Sequence, residues 1–193
     1  MDTAISLPLP GHAVFETALG FMALAWSETG LKRLCLPEKT HAAAERRLLR
    51  LAGEVDVSGG RVVPEWVALL IADIRRYAAG EDVDFTSVPV DLSGVDDFRL
   101  DIYAAARALR YGETTTYGGL AEKSGHKGLF RETGAALGAN PVPLVIPCHR
   151  ILAAGGKIGG FSATGGSVTK ERMLELEGVR VSPPPSTQAS FSF

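Results

Sequence analysis

The sequence predicts an α/β protein in two parts. An N-terminal small antiparallel sheet with helices is expected over residues 1–91. A mostly helical C-terminal domain containing a helix-turn-helix is expected over 96–179, with a disordered tail at 180–193. Three observations carry this reading. Residues 12–36 are apolar-rich and alternating, broken by glycine and stopped by proline, which is a strand pattern. Residues 41–80 hold two amphipathic helical patterns. From residue 97 the apolar positions recur at helical spacing in short runs punctuated by glycine.

The elements follow in chain order. "HAVFETALGFMALAWS" reads as one strand, and "LKRLCLP" as a second after the break at "ETG". "HAAAERRLLRLAG" is a helix ending at Gly53. "PEWVALLIADIRRYAAG" is a second, from a first-turn Pro64 to Gly80, with Trp66, Leu69, Leu70, Ile74 and Tyr77 on one face. "VDFTSVPVDL" reads as a further strand and "SGVDD" as a linker. "DDFRLDIYAAARALRYG" is a helix stopping at Gly112. "TTTYGGLAEKSG" is a short helix with a threonine entry and Gly125 at its exit. "GLFRETGAALGAN" is another, stopped by Asn140-Pro141. This pair fits a helix-turn-helix, a pattern that many proteins without DNA also use. "TKERMLELEG" closes the domain as a helix ending at Gly178, and "SPPPSTQASFSF" has a disordered composition.

Composition narrows the function classes. The chain has 193 residues, enough for one large or two small domains with a real core. Its two cysteines make no disulfide framework, and no Cys/His spacing suggests zinc, so neither metal nor cofactor is expected. No secretory signal pattern and no apolar run of about 18 residues is present, so a cytoplasmic protein is expected. Residues 97–179 carry ten Lys and Arg against eight Asp and Glu, compatible with a polyanion partner but no demonstration of one. The loop "AAGGKIGGFSATGG" is no phosphate-binding P-loop. Ile151 stands where the first glycine belongs, and Ile158 where a Ser or Thr belongs. It is either a turn-rich connector or the lip of a pocket.

The chemistry gathers in "VPLVIPCHRIL", residues 142–152. A thiol must ionise to attack, and apolar surroundings oppose that. His149 is the adjacent base, but neighbours on an extended chain point to opposite faces. Contact needs a tight turn, which Pro147 makes feasible, or a bridging water. An imidazole base also needs a carboxylate on its other nitrogen, and Glu171, Glu175 and Glu177 are the candidates downstream. The alternative for Cys148 is a buried small hydrophobe, which is the reading for Cys35. His12, His41 and His126 show no clustering.

"PCHRIL" resembles the active-site signature of the O6-alkylguanine-DNA alkyltransferases, the methylated-DNA–protein-cysteine methyltransferases. The likeness runs from Phe98 to Gly178 through "GETTTYGGLA", "RETGAALGANPVPLVIPCHRIL", "GGKIGGFS" and "TKERMLELEG". The resemblance implies a ribonuclease H-like N-terminal part and a winged-helix-like C-terminal one. It implies irreversible, single-turnover transfer of the alkyl group from O6-alkylguanine, or O4-alkylthymine, to Cys148. His149 would take the proton through water and Glu177 would orient it. The partner would be double-stranded DNA, met through the minor groove by a monomer with the damaged base flipped out. Arg131 would fill the gap in the stack and Tyr117 would contact the base and its phosphate. Asn140 would be the hinge, and Val145, Pro147, Arg150, Gly160, Phe161 and Ser162 would shape the pocket.

Phe161 stands where many relatives have tyrosine, and "SATGG" lengthens the loop, an expectation of room for larger alkyl groups. Phe130 and Glu132 flank Arg131 where small residues are common, an expectation of weaker DNA binding. Two readings from other classes stand beside this one: a non-catalytic lesion-recognition protein and a Cys-His hydrolase. The presence of Cys148 argues against the first. The lack of any mark of an oxyanion hole argues against the second.

Overall fold

The computed structural model describes residues 11–52 and 63–181. Expectations for the helix exit at Gly53 and for the tail from 182 onward lie outside the described residues. Strands β1 (Gly11–Thr17), β2 (Gly20–Trp26) and β3 (Leu31–Glu38) form an antiparallel sheet in the order β1-β2-β3. The first apolar run, expected as one strand, is therefore a hairpin. Thr17 pairs with Gly20, and its hydroxyl donates to the Gly20 carbonyl at 2.8 Å. Gly20 holds φ +129°, and a Cβ there would lie 2.7 Å from the Glu38 carbonyl oxygen. The turn residues Ala18 and Leu19 are apolar, so hydrophobicity runs through the reversal and hides it.

The sheet buries both faces, as its alternation requires. Met22, Leu24 and Trp26 enter the main core. Ala23, Ala25 and Cys35 pack instead against Ala44 and Leu48 of α1 (His41–Ala52). Cys35 is thus a packed small hydrophobe whose thiol is pushed by burial up to about 11. Helix α2 (Glu65–Ala78) buries Val67, Leu70, Ile74, Tyr77 and Ala78. Leu69, expected on that face, is 60% exposed, and Trp66 is only partly buried. Leu69 sits about 200° around the helix from Val67, on the far side of the stripe.

Residues 83–92 do not form the expected strand; only Val90 bridges to Leu31. The Asp84 carboxylate binds the Thr86 amide at 2.8 Å, and the Arg107 guanidinium takes the carbonyls of Thr86 and Val88. Those carbonyls are lost to a ladder. Helix α3 (Asp97–Arg107) starts at the side-chain cap of Asp96 and stops well before Gly112. Beyond it the Leu109 carbonyl accepts from Arg150, and Glu113 accepts from the Arg110 amide.

Strand β4 (Thr115–Thr116) runs directly into α4 (Tyr117–Lys123), capped by Thr116, and α5 (Phe130–Gly138) follows after a glycine-containing turn. β4 pairs in parallel with β5 (Ile151–Leu152), which follows the 3-10 turn Cys148–Arg150. This short ladder docks the cysteine turn against the helix pair. Helix α6 (Ser167–Leu176) closes the chain's core. One large apolar cluster spans both parts, from Phe15, Trp26 and Tyr77 to Ile102, Ile146 and Met173. The architecture is mixed α/β, a small antiparallel sheet plus helices.

Candidate active site

The segment before Cys148 is held by Asn140. Its amide donates to the Ile146 carbonyl at 2.8 Å, and its oxygen accepts from the Val142 amide at 3.0 Å. Between them Leu144 takes φ +77° while its side chain is buried, the one non-glycine at positive φ among the described residues. Such a conformation persists only where the surroundings over-determine it. Pro147 then leads into the turn Cys148–Arg150. The turn is tight, yet it brings no direct bond between the thiol and the imidazole. His149 Nδ1 is buried and has no hydrogen-bond partner among the described residues.

Glu177, at the C-terminal cap of α6, is the carboxylate behind His149; Glu171 and Glu175 are exposed. Its Oε1 meets His149 Nε2 at 2.7 Å and accepts from Tyr77 at 3.0 Å and Arg150 Nη2 at 3.1 Å. Its Oε2 accepts from Arg150 Nε at 2.8 Å and from the Gly112 amide at 3.0 Å. Burial raises its pKa, but the bonds from His149 and Arg150 outweigh that and bring it to about 2. A carboxylate so ionised only accepts, so Nε2 carries the imidazole proton and Nδ1 carries the lone pair. Burial holds His149 neutral despite the opposing pull of Glu177, with Arg150 and Lys170 adding to the effect of burial. Burial also raises the Cys148 thiol pKa; the Asn140 side chain and the Lys170 charge pull against it. The resting thiol is therefore protonated, with a neutral base near it.

A cavity of about 500 Å³ opens onto Cys148, lined by Tyr117, Arg131, Gly134, Gly160, Phe161 and Ser162 among others. The expected pocket residues Tyr117, Arg131, Gly160, Phe161 and Ser162 are thus brought together. Val145, Pro147 and Arg150 line a separate cavity, and Asn140 lines a third that also reaches Cys148. The Tyr117 hydroxyl donates to the Gly160 carbonyl at 3.3 Å. Gly159 packs so close that a Cβ would lie 3.3 Å from the Tyr117 ring, at φ +69°. Arg131 is exposed on α5 with its guanidinium 5.8 Å from the Phe130 ring, which is itself 52% exposed.

Two residues of the site were missed by sequence reasoning. Tyr77 was read as plain core, yet its hydroxyl joins Glu177. Lys170 is wholly buried on α6, hydrogen-bonded to the carbonyls of Ile151 and Gly160. Its ammonium lies 5.6 Å from the Tyr117 ring and 5.9 Å from the Phe161 ring. Burial lowers its pKa to about 8, against the opposing pull of Cys148. The available signal was its position, on the same helical face as Met173, Leu174 and Glu177. Such an arrangement can hold an electrophile over the thiol and move the thiol proton toward His149.

Known proteins share this framework. The family model described as the DNA binding domain of 6-O-methylguanine DNA methyltransferase matches residues 97–179. A methylated-DNA–protein-cysteine methyltransferase of Mycolicibacterium paratuberculosis is 32% identical over 166 residues, covering 86% of this chain and 91% of the relative. One of Methanosarcina acetivorans is 30% identical over 168 residues, covering 86% and 97%. Among solved structures, Mycobacterium tuberculosis OGT in complex with DNA superposes with a TM-score of 0.69 at 28% identity, covering 86% of this chain and 91% of that one. The O6-methylguanine methyltransferase of the same organism gives 0.67 at 29%, covering 91% and 97%.

Proposed function

Since the chain belongs to the methylated-DNA–protein-cysteine methyltransferase family and repairs alkylated DNA directly, we propose that Cys148 is the residue that accepts the alkyl group from O6-alkylguanine in duplex DNA. The observation that carries this assignment is the position of Cys148. It walls a cavity shared with Tyr117 and Arg131, and the His149–Glu177 pair stands behind it.

The mechanism follows from the resting protonation states. The thiol proton passes through a water to His149 Nδ1, the nitrogen that bears the lone pair. The imidazolium is stabilised by Glu177 at Nε2. The Cys148 sulfur then forms a bond to the alkyl carbon in-line as the carbon–O6 bond breaks. The electron pair moves to O6, and the guanine takes up a proton. The thioether is stable, so each molecule acts once. Arg150 and Tyr77 hold Glu177 and act only through it. Lys170 favours the thiolate and fixes the aromatic walls of the pocket.

The guanine O6 of a paired base is out of reach, so the base is flipped out. Arg131, exposed at the start of α5, enters from the minor groove and occupies the vacated stack, and Tyr117 holds the flipped nucleotide. On this reading residues 96–179 form a winged-helix-like unit that carries the chemistry. Residues 1–91 form a ribonuclease H-like support, and the protein acts as a monomer. The test is intact-protein and peptide mass spectrometry after mixing with an O6-methylguanine duplex. The expected result is one methyl group, on Cys148, and none in Cys148→Ala. An unmodified Cys148 in the wild type overturns the assignment.

A further inference from the structure

Cys148 is reached by a second cavity that methyl transfer does not use. It has a volume of about 210 Å³ and runs along the outer edge of β3, where the Leu34 amide bonds the Pro141 carbonyl. It shares Leu137, Gly138, Cys148, Phe161 and Ser162 with the cavity that faces Tyr117 and Arg131, so Cys148 stands on the wall of both. Two arginines, Arg33 and Arg47, line it, and no carboxylate does. Arg47 is engaged at 3.7 Å with Glu38, which also binds Thr164. Arg33 has no ion pair among the described residues, and its Nε is buried without a hydrogen-bond partner. The residue as a whole is only partly buried, so Arg33 is a cation on the cavity wall with no carboxylate paired to it among the described residues. The other thiol on this wall, Cys35, is held protonated by burial and adds no negative charge.

Resting on the proposed role of Cys148, we infer that this cavity is a subsite for O6-alkyl tails that end in a carboxylate, with Arg33 as the group that receives the anion. In-line attack aligns sulfur, carbon and O6, so the three remaining substituents on the carbon lie in the perpendicular plane. A methyl group puts only hydrogens there. A longer alkyl group must send its tail sideways, and the β3-edge cavity offers the room. A carboxylate tail also repels the incoming thiolate. A guanidinium on the cavity wall offsets that repulsion and gains a charge-assisted bond. In the transfer itself the sulfur–CH2 bond forms and the CH2–O6 bond breaks. The pair stays with guanine, which takes up a proton, and the product is an S-carboxyalkyl cysteine.

The test compares transfer rates from one duplex sequence carrying O6-methylguanine, O6-carboxymethylguanine or O6-(3-carboxypropyl)guanine, and the neutral amide of each acid. Arg33→Leu and the polar, neutral Arg33→Gln are measured beside the full-length wild type. The expected result is a loss of about tenfold or more on at least one acid in both variants. The methyl and amide rates should stay within about twofold. Arg33→Lys should recover much of the lost rate. An unchanged acid-to-amide ratio in the variants overturns the inference, whether the rates hold or fall together. Wild-type protein that accepts methyl but neither acid overturns it as well. Failure to accept methyl at all would instead count against the assignment of Cys148.

Discussion

Replacing Glu177 with glutamine tests the centre of the site, because one carboxylate there satisfies four different neighbours, His149, Tyr77, Arg150 and the Gly112 amide. Arg150 gives it two hydrogen bonds, at 2.8 Å and 3.1 Å, and its side chain is 6% exposed. Glutamine keeps the shape and an oxygen for His149 Nε2, but it removes the negative charge. Arg150 is then a buried cation without a counter-charge. Removing one partner of a buried pair costs about 3–5 kcal/mol. With a urea m-value of about 2 kcal/mol/M, the unfolding midpoint falls by about 2 M. Urea titration followed by fluorescence of the buried Trp26 and circular dichroism reads this directly. The double variant Arg150→Met with Glu177→Gln removes the stranded charge and should regain much of the loss. A midpoint shift below about 0.5 M in Glu177→Gln would refute the reasoning, since Arg150 would then be satisfied by the Leu109 carbonyl and solvent alone. So would a double variant no more stable than the single one.

The remaining predictions concern pH, the pocket and DNA. Glu177 titrates near 2 in the fold against an ordinary 4.5, so the stability it contributes is present above pH 4.5 and lost as pH falls toward 2. His149, held below its ordinary 6.5, adds a loss that starts near that pH; acid unfolding should therefore steepen in Glu177-intact protein and flatten in Glu177→Gln, as followed by circular dichroism. Lys170→Met should slow methyl transfer about tenfold at neutral pH, the effect of one unit in the thiol pKa. It should also remove a bend in the wild-type pH–rate curve near 8, where Lys170 loses its charge. A bend that survives the substitution assigns it elsewhere. Arg131→Ala should cut transfer from duplex DNA by about tenfold or more while leaving transfer from a free O6-alkylguanine base within about twofold; equal losses on both would place Arg131 in the chemistry instead of base extrusion.

Much of the fold was legible because the relevant forces are local. An apolar face marked α2, glycine stops marked α1, α3 and α6 as helical runs, and Thr116, Gly125 and Asn140 bounded the two short helices. The errors came where local signals were overridden. The β1–β2 reversal was masked by apolar turn residues. The strand expected at 83–92 was broken up by Arg107, which lies far along the chain. The end of α3 was set by Arg150, which takes the Leu109 carbonyl.

For the site, the sequence by itself determined that Cys148 stands beside His149, the motifs that point to a DNA methyltransferase, and three candidate carboxylates for the histidine. It could not choose among those carboxylates, because all three lie on or beside one helix and only burial separates them. Tertiary packing made the choice by turning Glu177 inward beside Tyr77, Arg150 and the Gly112 amide. It also decided the tautomer of His149, the burial of Lys170 beneath the two aromatic walls and the place of Arg33 on the wall of a cavity that reaches Cys148. Each of these depends on desolvation and on partners from distant segments. Neither quantity is written in the spacing of residues along the chain.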